Sequence, residues 1–296
     1  MHSSSDHAAS GIDASIMSSP SSYEQGATTV LALSSDPRFS YCLYVPKSGD
    51  VGERSLLSVI HGSYRNFTIH RDQFQDFAEA NNCMILAPLF PGNVLGDGNL
   101  DGFKYMLEGD IRYDRILEQM VSEVCMRYGI ADDRFGLVGF SGGAHFAHRF
   151  FLLRPHRLWG VSVGAPGSVT LLDPHRDWWT GVRDIEDLFG MTLDGAQLAT
   201  VPVQLVVGDA DLDTGEIHHR PGRRYWVEGA NDAGATRPER LRTLERSLLK
   251  DRIAVVFELL PGVGHEAEPI FAAAQSFLSD SLEAHRAGKA RDSSSS

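Results

Sequence analysis

The hydrophobic pattern between residues 28 and 285 changes period repeatedly. Short, nearly continuous apolar runs alternate with longer stretches whose apolar residues return every three or four positions. The runs are TTVLAL, SYCLYVP, SLLSVIHG, CMILAPLF, RFGLVGF, LWGVSVG, VPVQLVVG and IAVVFELL. Most lack polar alternation, as expected of strands covered on both faces. The first two alternate more and predict an antiparallel edge. The helical stretches are RDQFQDFAEA, YDRILEQMVSEVCMRYG, GAHFAHRFFLLR, RPERLRTLERSLLK and EPIFAAAQSFLSDSLEAH. In the second of these, Ile116, Met120 and Val124 mark one buried face. Strands alternating with helices predict an α/β domain, a mostly parallel eight-stranded sheet with helices on both faces.

One segment breaks this rhythm. Residues 168–200 are long for a link between a strand and the next element, and predict a small cap insertion with one short helix. Residues 1–27, rich in Ser and Ala, and residues 286–296, ending GKARDSSSS, read as a flexible leader and tail around a domain spanning 28–285.

Composition narrows the functional classes. The chain has 296 residues, enough for a sizeable core without staples. Its formal charge of −12 is a poor match for nucleic acid or an anionic membrane, so neither is expected as a partner. The leader lacks a basic stretch followed by an apolar one, and no run approaches the length of a membrane span. Cys42, Cys83 and Cys125 form neither a CxxC pair nor an even-numbered framework. A reduced, cytoplasmic protein is the expectation.

The candidate chemistry centres on Gly139-Phe140-Ser141-Gly142-Gly143. A G-x-S-x-G pentapeptide is weak evidence alone, but this one follows a strand and opens a helix, the setting of a nucleophile elbow. Glycines two residues either side of Ser141 remove Cβ atoms that would clash at so sharp a turn. The alternative is an ordinary glycine-rich loop. A serine hydroxyl needs a base, and among 12 histidines His265 stands out, in the GVGHE loop between the last strand and the last helix. His145 and His148 fall on the helix after the elbow, and His218 and His219 in a polar loop without carboxylate spacing for a metal. No metal site and no cofactor are expected.

A histidine base needs a carboxylate to hold its tautomer. GDADLD supplies Asp209, Asp211 and Asp213. Asp211 is the choice, because Asp209 is close enough to the strand to act as a turn residue and Asp213 precedes a Thr as a cap would. For an oxyanion, the backbone amide of Gly142 is one donor, and His61-Gly62 points to the amide of Ser63 as the other, with Tyr64 the alternative. Candidate substrate-binding residues are His61, Tyr64, Tyr105 in the polar loop GDGNLDGFKYMLEGDIRYD, and Trp178 and Trp179 in the insertion. The two tryptophans read equally well as that insertion's own small core.

The order Ser141, Asp211, His265 is that of the α/β hydrolases. The chain resembles that superfamily over residues 28–285. Within it the chain looks like single-domain esterases related to polyhydroxybutyrate depolymerases and feruloyl esterases, through VIHGS, APLFPG, RYDRILEQMVSEV, FGLVGFSGGAHFAHRF and GVGHE. The resemblance implies the α/β-hydrolase fold and cofactor-free hydrolysis through Ser141, Asp211 and His265. Secreted relatives carry signal sequences and disulfides, which the chain does not show, and this favours a small ester substrate over an extracellular polymer. Lactonase, amidase or peptidase and carbon–carbon bond hydrolase activities share the machinery. Haloalkane dehalogenation is disfavoured, since it uses an aspartate where Ser141 stands. The non-enzymatic alternative is a hydrolase-fold binding protein.

Overall fold

In the computed structural model, which describes residues 24–294, the later six apolar runs form parallel strands of one sheet. These are β4 (Ser55–Ile60), β5 (Cys83–Leu89), β8 (Phe135–Phe140), β9 (Leu158–Gly164), β10 (Val203–Gly208) and β11 (Val255–Leu260). Strand β3 (Ser40–Val45) runs antiparallel to β5, and the two-residue strands β1 (Gly26–Ala27) and β2 (Leu31–Ala32) run antiparallel to β3. The nine-stranded order is β1-β3-β5-β4-β8-β9-β10-β11, with β2 also on β3. The antiparallel edge is therefore as expected, but TTVLAL is not one strand. Only Leu31–Ala32 of it is strand; after β1 the Thr28 hydroxyl accepts from the Leu43 amide at 2.9 Å, taking the place of a backbone acceptor in the ladder.

The chain proceeds from β4 to β5 on one side, then crosses back to β8 on the other. This reversal opens a crevice at the carboxyl ends of β4 and β8, where open α/β sheets collect ligands. Helices cover both faces. On one face Val163 of β9 meets α4 (Gly142–Leu153) and α7 (Arg237–Lys250); on the other, the next residue, Gly164, lies against Ile270 of α8 (Ala267–Ser294). Successive strand residues point to opposite faces, so the alternation assigns the layers.

The expected helix over RDQFQDFAEA is two helices, α1 (Phe67–Asp72) and α2 (Gln75–Asn81), broken at the buried Phe74. Helix α3 (Tyr113–Tyr128) ends at Gly129, whose φ of 68° suits a helix C-terminus. The polar loop before α3 contains a short hairpin, β6 (Leu107–Glu108) with β7 (Ile111–Arg112). Residues 168–200 hold two short helices, α5 (Ile185–Phe189) and α6 (Gly195–Leu198), where one was expected. Val169, Val182, Ile185, Phe189 and Leu198 join the same core as the sheet, so the segment is built into the domain. At the C-terminus α8 continues to Ser294, so most of the expected tail is helical; most of the expected leader lies outside the described residues. Among the described residues no helix is long and apolar enough to cross a membrane.

Candidate active site

Strand β8 delivers Ser141 to the crevice on a strained turn, with φ 54° and ψ −117°. A non-glycine residue there is held by its surroundings, not by its own preference. The flanking glycines show why the turn accepts no substitutes: a Cβ on Gly139 would sit 2.1 Å from the Gly143 carbonyl oxygen, and one on Gly143 2.3 Å from that of Ile60. Helix α4 starts directly after Ser141, whose carbonyl accepts from the Ala144 and His145 amides and closes the first turn.

The carboxyl ends of two further strands bring up the partners. His265 follows β11, and its Nε2 lies 3.0 Å from Ser141 Oγ. Asp211 follows β10, and its Oδ2 lies 2.7 Å from His265 Nδ1. Burial of Asp211 pushes its carboxyl up, but hydrogen bonding and charge from His265 and Arg237 outweigh this and hold it below the ordinary carboxylate range. An ionised Asp211 only accepts, so Nδ1 of His265 carries the proton and Nε2 is free to accept from the Ser141 hydroxyl. The imidazole lies beside the Phe140 ring, centroids 4.6 Å apart, which restricts its orientation.

The other aspartates of the loop have separate tasks. Asp209 accepts from the Gly262 amide and Asp213 from the Gly215 amide, each at 2.7 Å, so both brace turns. The Ser63 amide lies close to Gly142: a Cβ added to Gly142 would stand 3.0 Å from Ser63 N and 2.9 Å from Lys104 Cε. The loop after β4 thus brings the Ser63 amide close to Gly142, the residue that follows Ser141. Tyr64, the next residue, is 86% exposed.

Four of the expected substrate-binding residues are engaged in packing. His61 is fully buried; its Nδ1 donates to the Gly62 carbonyl at 2.8 Å and its Nε2 accepts from the Phe90 amide at 3.0 Å. Burial lowers it to about 3, so it is a neutral brace for the β4 loop and does not reach solvent. Tyr105 and Trp179 are also buried, in a small cluster with Ala230 against which Trp178 and Tyr225 pack. Tyr105 stacks on Tyr225 with centroids 3.8 Å apart. Trp179 Nε1 donates to the Tyr225 carbonyl at 3.0 Å, and Trp178 Nε1 to that of Tyr105 at 2.9 Å. The indole nitrogens are satisfied by backbone carbonyls, and the rings pack on residues outside 168–200, so this is a packing cluster but not the insertion's own core. His218 and His219 meet no metal-binding arrangement: among the described residues no three His, Cys, Asp or Glu side chains are placed to hold an ion.

Several functional supports escape sequence reasoning. Arg149 on α4 is fully buried and has no carboxylate partner among the described residues. It donates to Thr170 Oγ1 at 2.8 Å, the Lys104 carbonyl at 2.6 Å and Ser168 Oγ at 3.1 Å, and sits over the rings of Tyr105 and Trp179. Burial lowers its guanidinium to about 10, still charged at neutral pH. His145 and His148 join it. Nε2 of His145 accepts from the Gly167 and Ser168 amides and Nε2 of His148 from the Thr170 amide. One helix thereby carries the elbow at its start and clamps residues 167–170 along its length. Arg237, the first residue of α7, contacts Asp211. It has a sequence signal that was available: a basic residue in the first turn of a helix opposes the helix dipole, and therefore suggests a carboxylate partner.

No protein-family model matches the chain, and no curated protein sequence does. Solved structures match over most of it. The poly(aspartic acid) hydrolase-1 of Sphingomonas sp. KT-1 aligns with 21% identity and a TM-score of 0.70, covering 85% of this chain and 98% of that one. A poly(3-hydroxybutyrate) depolymerase from Bordetella parapertussis aligns with 20% identity and a TM-score of 0.67, over 82% and 84%. An S-formylglutathione hydrolase from Agrobacterium tumefaciens aligns with 17% identity and a TM-score of 0.55, over 83% and 89%. The fold of this chain is the α/β-hydrolase fold.

Proposed function

We propose that the protein is a serine hydrolase that cleaves a carboxylic ester of a small apolar or aromatic substrate through Ser141, His265 and Asp211. The observation that carries this reading is the unbroken relay of 2.7 Å and 3.0 Å contacts from Asp211 through His265 to Ser141. His265 takes the hydroxyl proton as Ser141 Oγ attacks the acyl carbon, and Asp211 stabilises the imidazolium that results. The amides of Ser63 and Gly142 receive the tetrahedral oxyanion. Collapse expels the alkoxide, which takes the proton from His265, leaving an acyl-enzyme. Water, deprotonated by the same imidazole, then releases the acid and restores the serine.

The structurally similar proteins named above act on polyamide, polyester and thioester acyl groups by their own descriptions, which agrees with acyl transfer and does not select the leaving group. For the acyl or alcohol side, Tyr64 is the exposed aromatic group next to the Ser63 amide, whereas the tryptophans are engaged in packing. The deciding experiment is a fluorophosphonate labelling of the protein with mapping of the modified residue. An ester, lactone, amide and diketone panel is run beside it, with Ser141→Ala as the blank. Rapid modification of Ser141 and Ser141-dependent turnover of esters are expected. No modification at Ser141 would leave a hydrolase-fold binding protein as the reading.

A further inference from the structure

Asp211 divides its two oxygens. Oδ2 faces His265, and Oδ1 accepts from Arg237 Nη1 at 2.8 Å. Both side chains of this ion pair are nearly inaccessible, 3% exposed for Arg237 and 1% for Asp211. The second guanidinium nitrogen, Nη2, reaches Glu216 at 3.5 Å, and Nε has no partner among the described residues. The guanidinium therefore has one close anchor, the carboxylate that also orients His265.

The position of Arg237 is itself fixed. It is the first residue of α7, whose start is held by a capping box: the Thr236 hydroxyl accepts from the Glu239 amide, and the Glu239 carboxylate from the Thr236 and Ala235 amides. One turn on, Arg240 ties the same end of α7 to its surroundings. It donates to the carbonyls of Gly167, Ile217 and Gly234. The loop carrying Asp211 is thus fastened to a rigid helix end at Asp211 and again at Ile217.

We propose that Arg237 is a positioning residue for hydrolysis, anchoring Asp211 in register with His265 and setting a fixed positive charge behind the relay. The inference rests on the serine-hydrolase reading above. The charged groups acting on the pair include Glu216, 3.5 Å from the guanidinium, and Arg240 one turn along α7, whose charge opposes that of Arg237. A fixed positive charge beyond Asp211 disfavours the imidazolium.

The test compares Arg237→Gln and Arg237→Lys with the wild type, using the pH dependence of fluorophosphonate reaction at Ser141, so that no substrate need be known. The downfield imidazole N–H proton resonance of each protein is recorded in parallel. In Arg237→Gln the rate at neutral pH should fall about tenfold or more, and its acid limb should move to higher pH by about half a unit or more. Arg237→Lys keeps the charge, so its limb should stay near the wild-type position. A folded Arg237→Gln protein with an unmoved limb and an unmoved N–H proton overturns the proposal. If Arg237→Gln does not fold, Arg237→Lys decides. A weakened or broadened N–H proton with a slower reaction supports anchoring by the guanidinium, and wild-type values for both overturn it. A wild type unreactive at Ser141 across the pH range would instead defeat the hydrolase reading, and the N–H proton would still report on Arg237.

Discussion

His265 Nε2 and Ser141 Oγ meet at 3.0 Å although 124 positions separate them in the chain. The contact exists because β8 and β11 run parallel in one sheet and both release their loops at its carboxyl edge. Neither residue is placed by its own loop alone: Ser141 is forced forward by the elbow, and His265 is held from behind by Asp211.

Ser141→Ala should lower ester turnover by about a thousandfold or more while the protein still folds, because loss of the nucleophile disables the whole relay. Ser141→Gly should be equally inactive yet melt at a higher temperature. The backbone strain at φ 54° is of order 1–3 kcal/mol, and glycine relieves it. The extra freedom of the unfolded glycine chain costs about 0.4–1 kcal/mol, so relief wins. Thermal melts of the three proteins check this, and a lower melting temperature for Ser141→Gly would refute the strain.

Asp211→Asn should cost about a thousandfold or more in kcat/KM, since an amide favours the wrong imidazole tautomer and leaves Arg237 buried beside a neutral group. Asp209→Asn and Asp213→Asn each weaken one turn hydrogen bond and should stay within about tenfold of wild type. Steady-state kinetics of the three variants on one ester decide the matter; a worse defect in Asp209→Asn would assign the carboxylate role to that residue.

Stability should fall as pH drops from about 6.5 toward 4. Burial lowers His61 to about 3, and His70 and His219 to about 4, while His145 and His148 are driven well down by the same cause. Their folded values lie below the unfolded one. The unfolded chain therefore takes up protons in this window and the native state does not, and the stability held above the unfolded value is progressively lost. Melting temperature measured against pH tests this. A flat profile down to pH 4 would mean that these rings are protonated in the native state.

Trp179→Ala should destabilise the fold by about 3–5 kcal/mol, the usual cost of removing a buried large aromatic. Its ring packs against Tyr105 and His219, and its indole nitrogen holds the Tyr225 carbonyl. Fluorophosphonate reactivity of Ser141 well below the melting temperature should survive. Unchanged stability with a selective loss of bulky esters would return Trp179 to the substrate site.

His61 shows where sequence reasoning misleads. A histidine beside a glycine after β4 has the same local signature whether its ring faces solvent or turns inward to brace the loop. The packing of Phe90 and Phe103 around it decides, with centroids 5.8 and 4.8 Å away. Tyr105 and the two tryptophans pose the same problem, since large aromatic side chains suit a pocket wall and a core equally.

The sequence by itself determined the six parallel strands and β3, most helices, the elbow and the order of Ser141, Asp211 and His265. Each rests on local physics: apolar period, steric demand at a tight turn, and the position of a residue relative to a strand end. Tertiary structure alone decided which aromatic residues close on one another, that His61 turns inward, and that Arg237 pairs with Asp211. Arg237 and Asp211 are 26 positions apart, and Arg149 and Thr170 are 21 apart. No periodicity links such pairs. They meet because burying a charged group without partners is costly, and only the packed arrangement of loops shows which partners come within reach.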